Sequence, residues 1–440
     1  MKTRNFLILL SLLFFTYDVL FAEALSIEQA IDLALTQNID LRKSSYAVNS
    51  ALIELNNSWN IFMPSLSAGM GLSQNNSFPI FGVANSRYQN QEDPWNLSAN
   101  FSMQIPLDIT SVQNFEQREL NYKSTLLSQE ELSSQIVRNV EKTYYAIQTY
   151  LKDLDIKKNN MVIAQARYES VQQKYDSGLS SDLDLLKAEV SVEEARLSYQ
   201  RAFADYQKNI NIFKRMIGVN IEQTIELITP IEIPKVNISP KEWIDKCLEL
   251  RFDIRKLHLS IRLAENRQAE SIISNFAPNF SASTSWSTGV NQAFTAESWA
   301  PEDLTASWSL RLSMSIPLNA YIPGSKSNLT LKSEADSMSK LLLDYEKARI
   351  IAEDEINSYA RDLELIQTNI ALSERLKGLS QRNYDAVQKS YNLGESTLLQ
   401  VEDAQQSFFS AQLSFLNVQY QFLSTLIDLG YALNTDWHDF

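Results

Sequence analysis

The segment from Trp95 to Ile105 alternates apolar and polar residues without a break, and the same pattern returns from Ala306 to Ile316. In the first, Trp95, Leu97, Ala99, Phe101, Met103 and Ile105 oppose Asn96, Ser98, Asn100, Ser102 and Gln104. In the second, Ala306, Trp308, Leu310, Leu312, Met314 and Ile316 oppose Ser307, Ser309, Arg311, Ser313 and Ser315. Successive side chains of a strand point to opposite faces, so each segment has one apolar and one wet face. About ten residues with aromatics near the ends is the length and chemistry of a lipid-facing barrel strand. A strand of a soluble sandwich also alternates, but it is shorter and sits among other strands. Here helical sequence follows each segment.

The rest of the chain is a duplication. Ile39 to Lys43 recurs as Phe252 to Lys256, Phe62 to Ala68 as Phe276 to Ala282, Ser102 to Leu107 as Ser313 to Leu318, and Tyr175 to Gly178 as Tyr391 to Gly394. Anchors matched in the same order mark an internal repeat. Each copy reads as helix, strand, strand, long helix, helix. The leading helices are expected over Ile27 to Trp59 and Pro240 to Ser274. Pro64 and Pro278 switch the chain into strand, because proline disfavours helix in the residue before it. Polar loops at about 74 to 94 and 287 to 303 join the paired strands.

Val112 to Ser177 holds no Gly or Pro, and Lys326 to Leu393 holds only Gly378, so two very long helices are expected. Ile356, Tyr359, Leu363, Ile366 and Ile370 step by threes and fours, as do Leu413, Leu416, Tyr420, Leu423 and Ile427; this is coiled-coil spacing. Gly178 and Gly394 turn the chain back into return helices over Ser181 to Ile217 and Thr397 to Leu433. A leading and a return helix laid end to end would match one long helix, giving two helical layers of equal height.

The organisation is therefore a signal peptide at 1–22, a first repeat at 23–217, a linker at 218–239, a second repeat at 240–433 and a tail at 434–440. Lys2 and Arg4, the apolar run Phe6 to Phe15 and the small residues at Ala22 and Ala24 make the leader, cleaved after Ala22 or Ala24. No later segment is a candidate spanning helix, so a membrane crossing must be by barrel. Four strands cannot close one, since an open edge in lipid leaves backbone groups unpaired. Three chains would supply twelve strands, though two or four chains would also close.

Composition removes other classes. A net charge of −14 argues against nucleic acid, which demands clustered Lys and Arg. The single cysteine, Cys247, excludes an intrachain disulfide framework and reads as a packed helical thiol. His258 and His438 lie far apart, outside any ligand-spaced cluster. Glu130-Glu131 and Glu193-Glu194 are helical neighbours that diverge by ~100°, unlike acid/base pairs. No glycine loop cradles phosphate, and eight scattered methionines make no soft-metal relay. The chain is expected to be neither an enzyme nor a cofactor protein.

On these residues the chain resembles the TolC family of outer-membrane efflux and secretion ducts. The likeness covers essentially everything after the leader. Its best motif is Tyr175-x-x-Gly178-x-x-Ser181-x-x-Asp184-Leu185-Leu186-x-Ala188-Glu189, echoed by Tyr391-x-x-Gly394-x-x-Thr397-x-x-Gln400-Val401-x-Asp403-Ala404-Gln405 and joined to the paired strands. The resemblance implies a mainly α fold with membrane β structure. It further implies a homotrimer whose strands form a twelve-stranded outer-membrane β-barrel, set in outer-membrane lipid, and whose coiled helices form a periplasmic α-barrel tunnel. Such a duct is passive, the exit of a tripartite efflux or type I secretion system. It is driven by an inner-membrane RND or ABC pump through a periplasmic adaptor protein. The alternative is a secreted or periplasmic structural coiled coil or adaptor with no pore.

In the family, carboxylates just past the second helix turn narrow the periplasmic entrance. Asp403 falls on one such position and Gln400 on the other, where an acid is often found; Asp184 is the related residue of the first copy. Adaptor docking is expected at the two turns, Gly178, Leu179, Ser180 and Ser181, and Gly394, Glu395, Ser396 and Thr397.

Overall fold

The computed structural model describes residues 23–74, 95–107, 109–292 and 305–439; the expected leader and most of both interstrand loops lie outside them. In chain order the main elements are β1 (Glu23–Leu25), α1 (Ile27–Gln37), α2 (Ile39–Asn56), β2 (Ser65–Gln74), β3 (Trp95–Leu107), α3 (Ser111–Asp176) and α4 (Asp182–Met216). They continue as β4 (Ile225–Leu227), α5 (Pro240–Cys247), α6 (Phe252–Phe276), β5 (Asn279–Gln292), β6 (Thr305–Ser315), α7 (Lys326–Asn392) and α8 (Leu398–Leu433). The chain divides into two compact units. One comprises the chain up to Ala47, Leu127–Arg255 and the chain from Glu346; the other comprises Val48–Leu126 and Lys256–Tyr345.

The second unit carries a four-stranded antiparallel sheet in the order β2-β3-β5-β6. Directly paired residues share a face, so the register decides what each face holds. Ala68 pairs with Phe101, Phe101 with Trp286, and Trp286 with Trp308. Leu66, Met70, Thr284, Leu310 and Leu312 join that same apolar face, which stands exposed: Met70 keeps 82% and Leu312 75% of its surface. The reverse face is a field of serines. Hydroxyl pairs cross it between Ser67 and Ser102 (2.6 Å), Ser281 and Ser313 (2.7 Å), Ser285 and Ser309 (2.8 Å) and Ser287 and Ser307 (2.7 Å). Elsewhere in this unit Asn266 Nδ2 donates to the Gln113 carbonyl (2.8 Å), and Arg118 to that of Glu54 (3.1 Å), pinning α6 and α2 to α3.

In the first unit α3, α4, α7 and α8 close over Tyr144, Phe213, Ile356, Leu363, Phe422, Leu423 and Leu426, all fully buried. Ile356, Leu363 and Leu423 are coiled-coil positions read from the sequence, whereas Tyr359, Ile370 and Tyr420 of the same series are only partly buried; Tyr144, Phe213, Phe422 and Leu426 gave no special signal by spacing. Asp428 of α8 is held by Arg138 Nε (3.2 Å) and Lys142 Nζ (2.6 Å) of α3. The buried Glu141 accepts a bond from Trp437 Nε1 (3.0 Å), which draws the tail onto α3; burial pushes its carboxyl up to about 7. β1 and β4 form a parallel pair that the periodicity did not predict. The Tyr144 hydroxyl fastens it, donating to the Leu25 carbonyl (2.8 Å) and accepting from Thr229 N–H (2.9 Å).

The leading helices differ from the expected single rods. The first breaks at Asn38, whose backbone is extended (ψ 125°) and whose Oδ1 accepts from the amides of Asp40 (2.9 Å) and Leu41 (3.3 Å). Asparagine thus stops one helix and starts the next. The second breaks at the matching place, where Arg251 is extended (ψ 139°) and Asp253 accepts from the Ile254 amide (2.9 Å). Arg251 also grips Asp253 (2.8 Å) and Glu355 (2.8 Å). With no unbroken leading rod, end-to-end stacking of two whole helices does not describe the chain.

Candidate functional site

The two helix turns have one construction. α3 ends with Gly178 at φ +72° and α7 with Gly394 at φ +80°. Gly178 N–H donates to the Tyr175 carbonyl (2.9 Å) and Leu179 N–H to that of Lys174 (2.7 Å); Gly394 and Glu395 make the same bonds to Tyr391 (3.0 Å) and Ser390 (2.9 Å). This pair of bonds is the Schellman end, which needs a left-handed residue that glycine adopts without strain. Open space surrounds both glycines, so the requirement is conformational rather than steric. The turns lie side by side: Lys174 Nζ sits 4.8 Å from the centre of the Tyr391 ring. Leu179 keeps 80% of its surface, and Glu395 is exposed as well; Ser180 and Ser396 are half-buried.

Each turn then starts a helix with the same device. Ser181 Oγ accepts from the Asp184 amide (3.2 Å) and donates to Asp184 Oδ2 (2.7 Å). Thr397 Oγ1 accepts from the Gln400 amide (3.3 Å), and Gln400 Oε1 accepts from Thr397 N–H (2.9 Å), a complete capping box. The side chains of Asp184 and Gln400 are therefore occupied in helix starts. Gln400 is thus the residue that completes the box at the start of α8.

Asp403 is exposed, one turn further along α8. With Glu402, Leu399 and Gln406 it borders a cleft of about 710 Å³ formed with Arg167 and Asn160 of α3 and Lys187 and Glu194 of α4. Asp184 is not among the residues lining it. Gln405, 5% exposed, bridges the helices: Arg167 donates to its Oε1 (2.6 Å), and its Nε2 donates to Asn160 Oδ1 (2.7 Å). Burial raises the Glu402 carboxyl above its ordinary value against the lowering pull of Arg167 and Lys187, while Asp403 and Glu194 raise it further. Sequence reasoning passed over Glu402 and Arg167, and took Gln405 only as part of the motif. The available signal was Gln405 in register with Val401 and Phe409 on the buried face of α8.

Among the described residues, no group of three His, Cys, Asp or Glu side chains could hold a metal ion, and no helix is long and apolar enough to cross a membrane. Cys247 is buried, and burial pushes its thiol up.

Comparison with known proteins matches residues 30–219 and 243–435 to the family described as outer membrane efflux protein. No curated protein sequence matches the chain. Among solved structures, the CmeC outer membrane channel of Campylobacter jejuni aligns with a TM-score of 0.76 and 15% identity, over 94% of this chain and 88% of that one. CusC, described as a transmembrane channel, aligns at 0.74 and 18% over 93% and 92%. The open-state MtrE outer membrane channel of Neisseria gonorrhoeae aligns at 0.70 and 16% over 96% and 93%.

Proposed function

The chain belongs to the outer membrane efflux protein family and is an outer-membrane efflux channel, and we propose that three copies assemble into a passive duct that an inner-membrane pump of the RND or ABC class drives through a periplasmic adaptor. The observation that carries the assembly is the sheet. One face is apolar, the other is serine, and β2 and β6 each pair on one side only among the described residues. In lipid such edges must be paired, and copies of the same sheet joined edge to edge close them. The helices support the same reading: Leu183, Leu186, Val190 and Leu197 of α4 and Leu365, Leu372, Leu376 and Leu379 of α7 stay about half exposed in a single chain. At helical spacing these are seams for neighbouring copies. A coiled coil without a pore would leave the two-faced sheet without a purpose. Heat-modifiable trimers in an outer-membrane fraction are the expected result, and a monomer in the soluble fraction would refute the assembly.

The two Schellman turns are the adaptor contact in this proposal, because they present Leu179 and Glu395 outward on a fixed backbone. Proline holds φ near −65° and has no N–H to give, so Gly178→Pro or Gly394→Pro should destroy the turn and abolish export while trimers still form. Leu179→Glu, which leaves the backbone alone, should weaken export by the changed surface chemistry. Full export in all three variants would move the contact elsewhere.

Asp403 is the proposed entrance charge. A threefold axis would set three carboxylates in one ring, a fixed negative field that favours cations. Asp403→Asn should lower cation selectivity in planar-bilayer recordings, and Asp403→Arg should reverse it or block current. Asp184→Asn should act less on selectivity, since Asp184 does not border the cleft that Asp403 borders. Unchanged selectivity in Asp403→Asn would make this residue an ordinary wetted helix surface.

A further inference from the structure

Arg311 is the only charged residue in β2, β3, β5 and β6. It lies on the serine face, paired with Ser283, which in turn pairs with Gln104. Ser309 and Ser313 flank it along the strand on the same face. It is exposed and makes no ion pair among the described residues. The duplication supplies an internal control: aligning Ser313 to Leu318 with Ser102 to Leu107 puts Asn100 of β3 where Arg311 stands in β6. A wall of this kind is built in β3 with a neutral residue, so the fold does not need the charge.

We propose that Arg311 forms an anion-attracting ring in the lumen of the barrel, which draws solutes bearing carboxylate, sulfate or phosphate groups through the outer-membrane section of the duct. This rests on the trimeric barrel argued above and adds to it a site of opposite sign to the Asp403 entrance. Twelve strands ~4.8 Å apart and tilted ~40° close on a backbone radius of about 12 Å. A long side chain on that wall carries its charge well toward the axis. The screening length is ~10 Å at 0.1 M salt, so the three fields overlap across the lumen. The serine wall offers no carboxylate to cancel them. A guanidinium binds carboxylate and phosphate through paired N–H donors, which gives transient seats as well as a field.

The test reads the local potential, apart from the charges at the entrance. In a Cys247→Ala background, Ser309→Cys places a thiol one step from Arg311 on the same face. Intact cells carrying the channel are treated with an anionic and a cationic methanethiosulfonate, and the two labelling rates are compared with and without Arg311→Gln. Removing Arg311 should lower the anionic-to-cationic rate ratio about five-fold at ~0.1 M salt, and the difference should shrink at ~1 M. An unchanged ratio with both reagents reacting overturns the ring and leaves the barrel standing. Failure of both reagents to label the introduced thiol in assembled trimers means that the serine face is not lumenal, and removes the barrel reading together with the ring.

Discussion

Leu310→Arg is expected to cost the membrane-assembled protein about 2–4 kcal/mol if the side chain meets lipid near the midplane, whereas Ser309→Arg, one residue away, should be nearly neutral. The reason is the register. Leu310 pairs with Thr284 on the face that also holds Trp286, Trp308 and Leu312, while Ser309 pairs with Ser285 among the serines. Ser309 gives up one hydroxyl pair, worth on the order of 0.5 kcal/mol across a strand, and gains a long side chain with water to occupy. Trimer yield in the outer membrane, or urea titration of protein folded into lipid vesicles, measures both. Equal tolerance of the two substitutions would defeat the orientation of the sheet, and with it most of the argument for a barrel.

Tyr144→Ala should cost the helical unit about 3–5 kcal/mol, the usual range for emptying a large buried aromatic site. The ring is fully buried and meets Phe213 and Tyr145 edge-on at 6.0 and 5.8 Å. Tyr144→Phe keeps the ring and removes only the hydroxyl. That strands the Thr229 amide, while the Leu25 carbonyl keeps the Ile228 N–H (3.2 Å) as its donor, at a cost of about 1–3 kcal/mol. The smaller variant is the sharper test, because it isolates the fastening of β1 and β4 from the packing. Denaturant unfolding of the solubilised trimer gives both values. A Tyr144→Phe protein as stable as the parent would mean that water or another acceptor already serves the Thr229 amide.

Most of the fold was legible because it follows from local rules. The strands were readable from a two-residue period, which is a property of the extended chain itself. The ends of α3 and α7 were readable from Gly178 and Gly394, where the left-handed conformation needs glycine. The breaks at Asn38 and Arg251 were missed for different reasons. Asn38 ahead of Ile39-Asp40 was a readable cap, hidden by treating a long periodic stretch as one helix. Arg251 carried no such signal, since its bond to Glu355 joins residues far apart in sequence. The proposed entrance residues were placed by position in the motif alone. Their spacing could not show that Gln400 completes a capping box and that Asp184 accepts from the Ser181 hydroxyl, nor that Glu402 and Gln405 share a cleft with Arg167 of another helix.

The sequence by itself determined the duplication, through anchors that recur in the same order, and it determined the alternating strands, the two long helices and the turns that end them, because each of these depends on residues within about a turn or a strand of one another. Only the tertiary structure decided that the two copies meet at β3 and β5, that β1 pairs in parallel with β4 across some two hundred residues of chain, and that Tyr144 holds that pair in place. Those contacts are chosen by shape and by the need to satisfy buried backbone groups. A period in the sequence fixes which way a side chain points, but not which distant partner it meets.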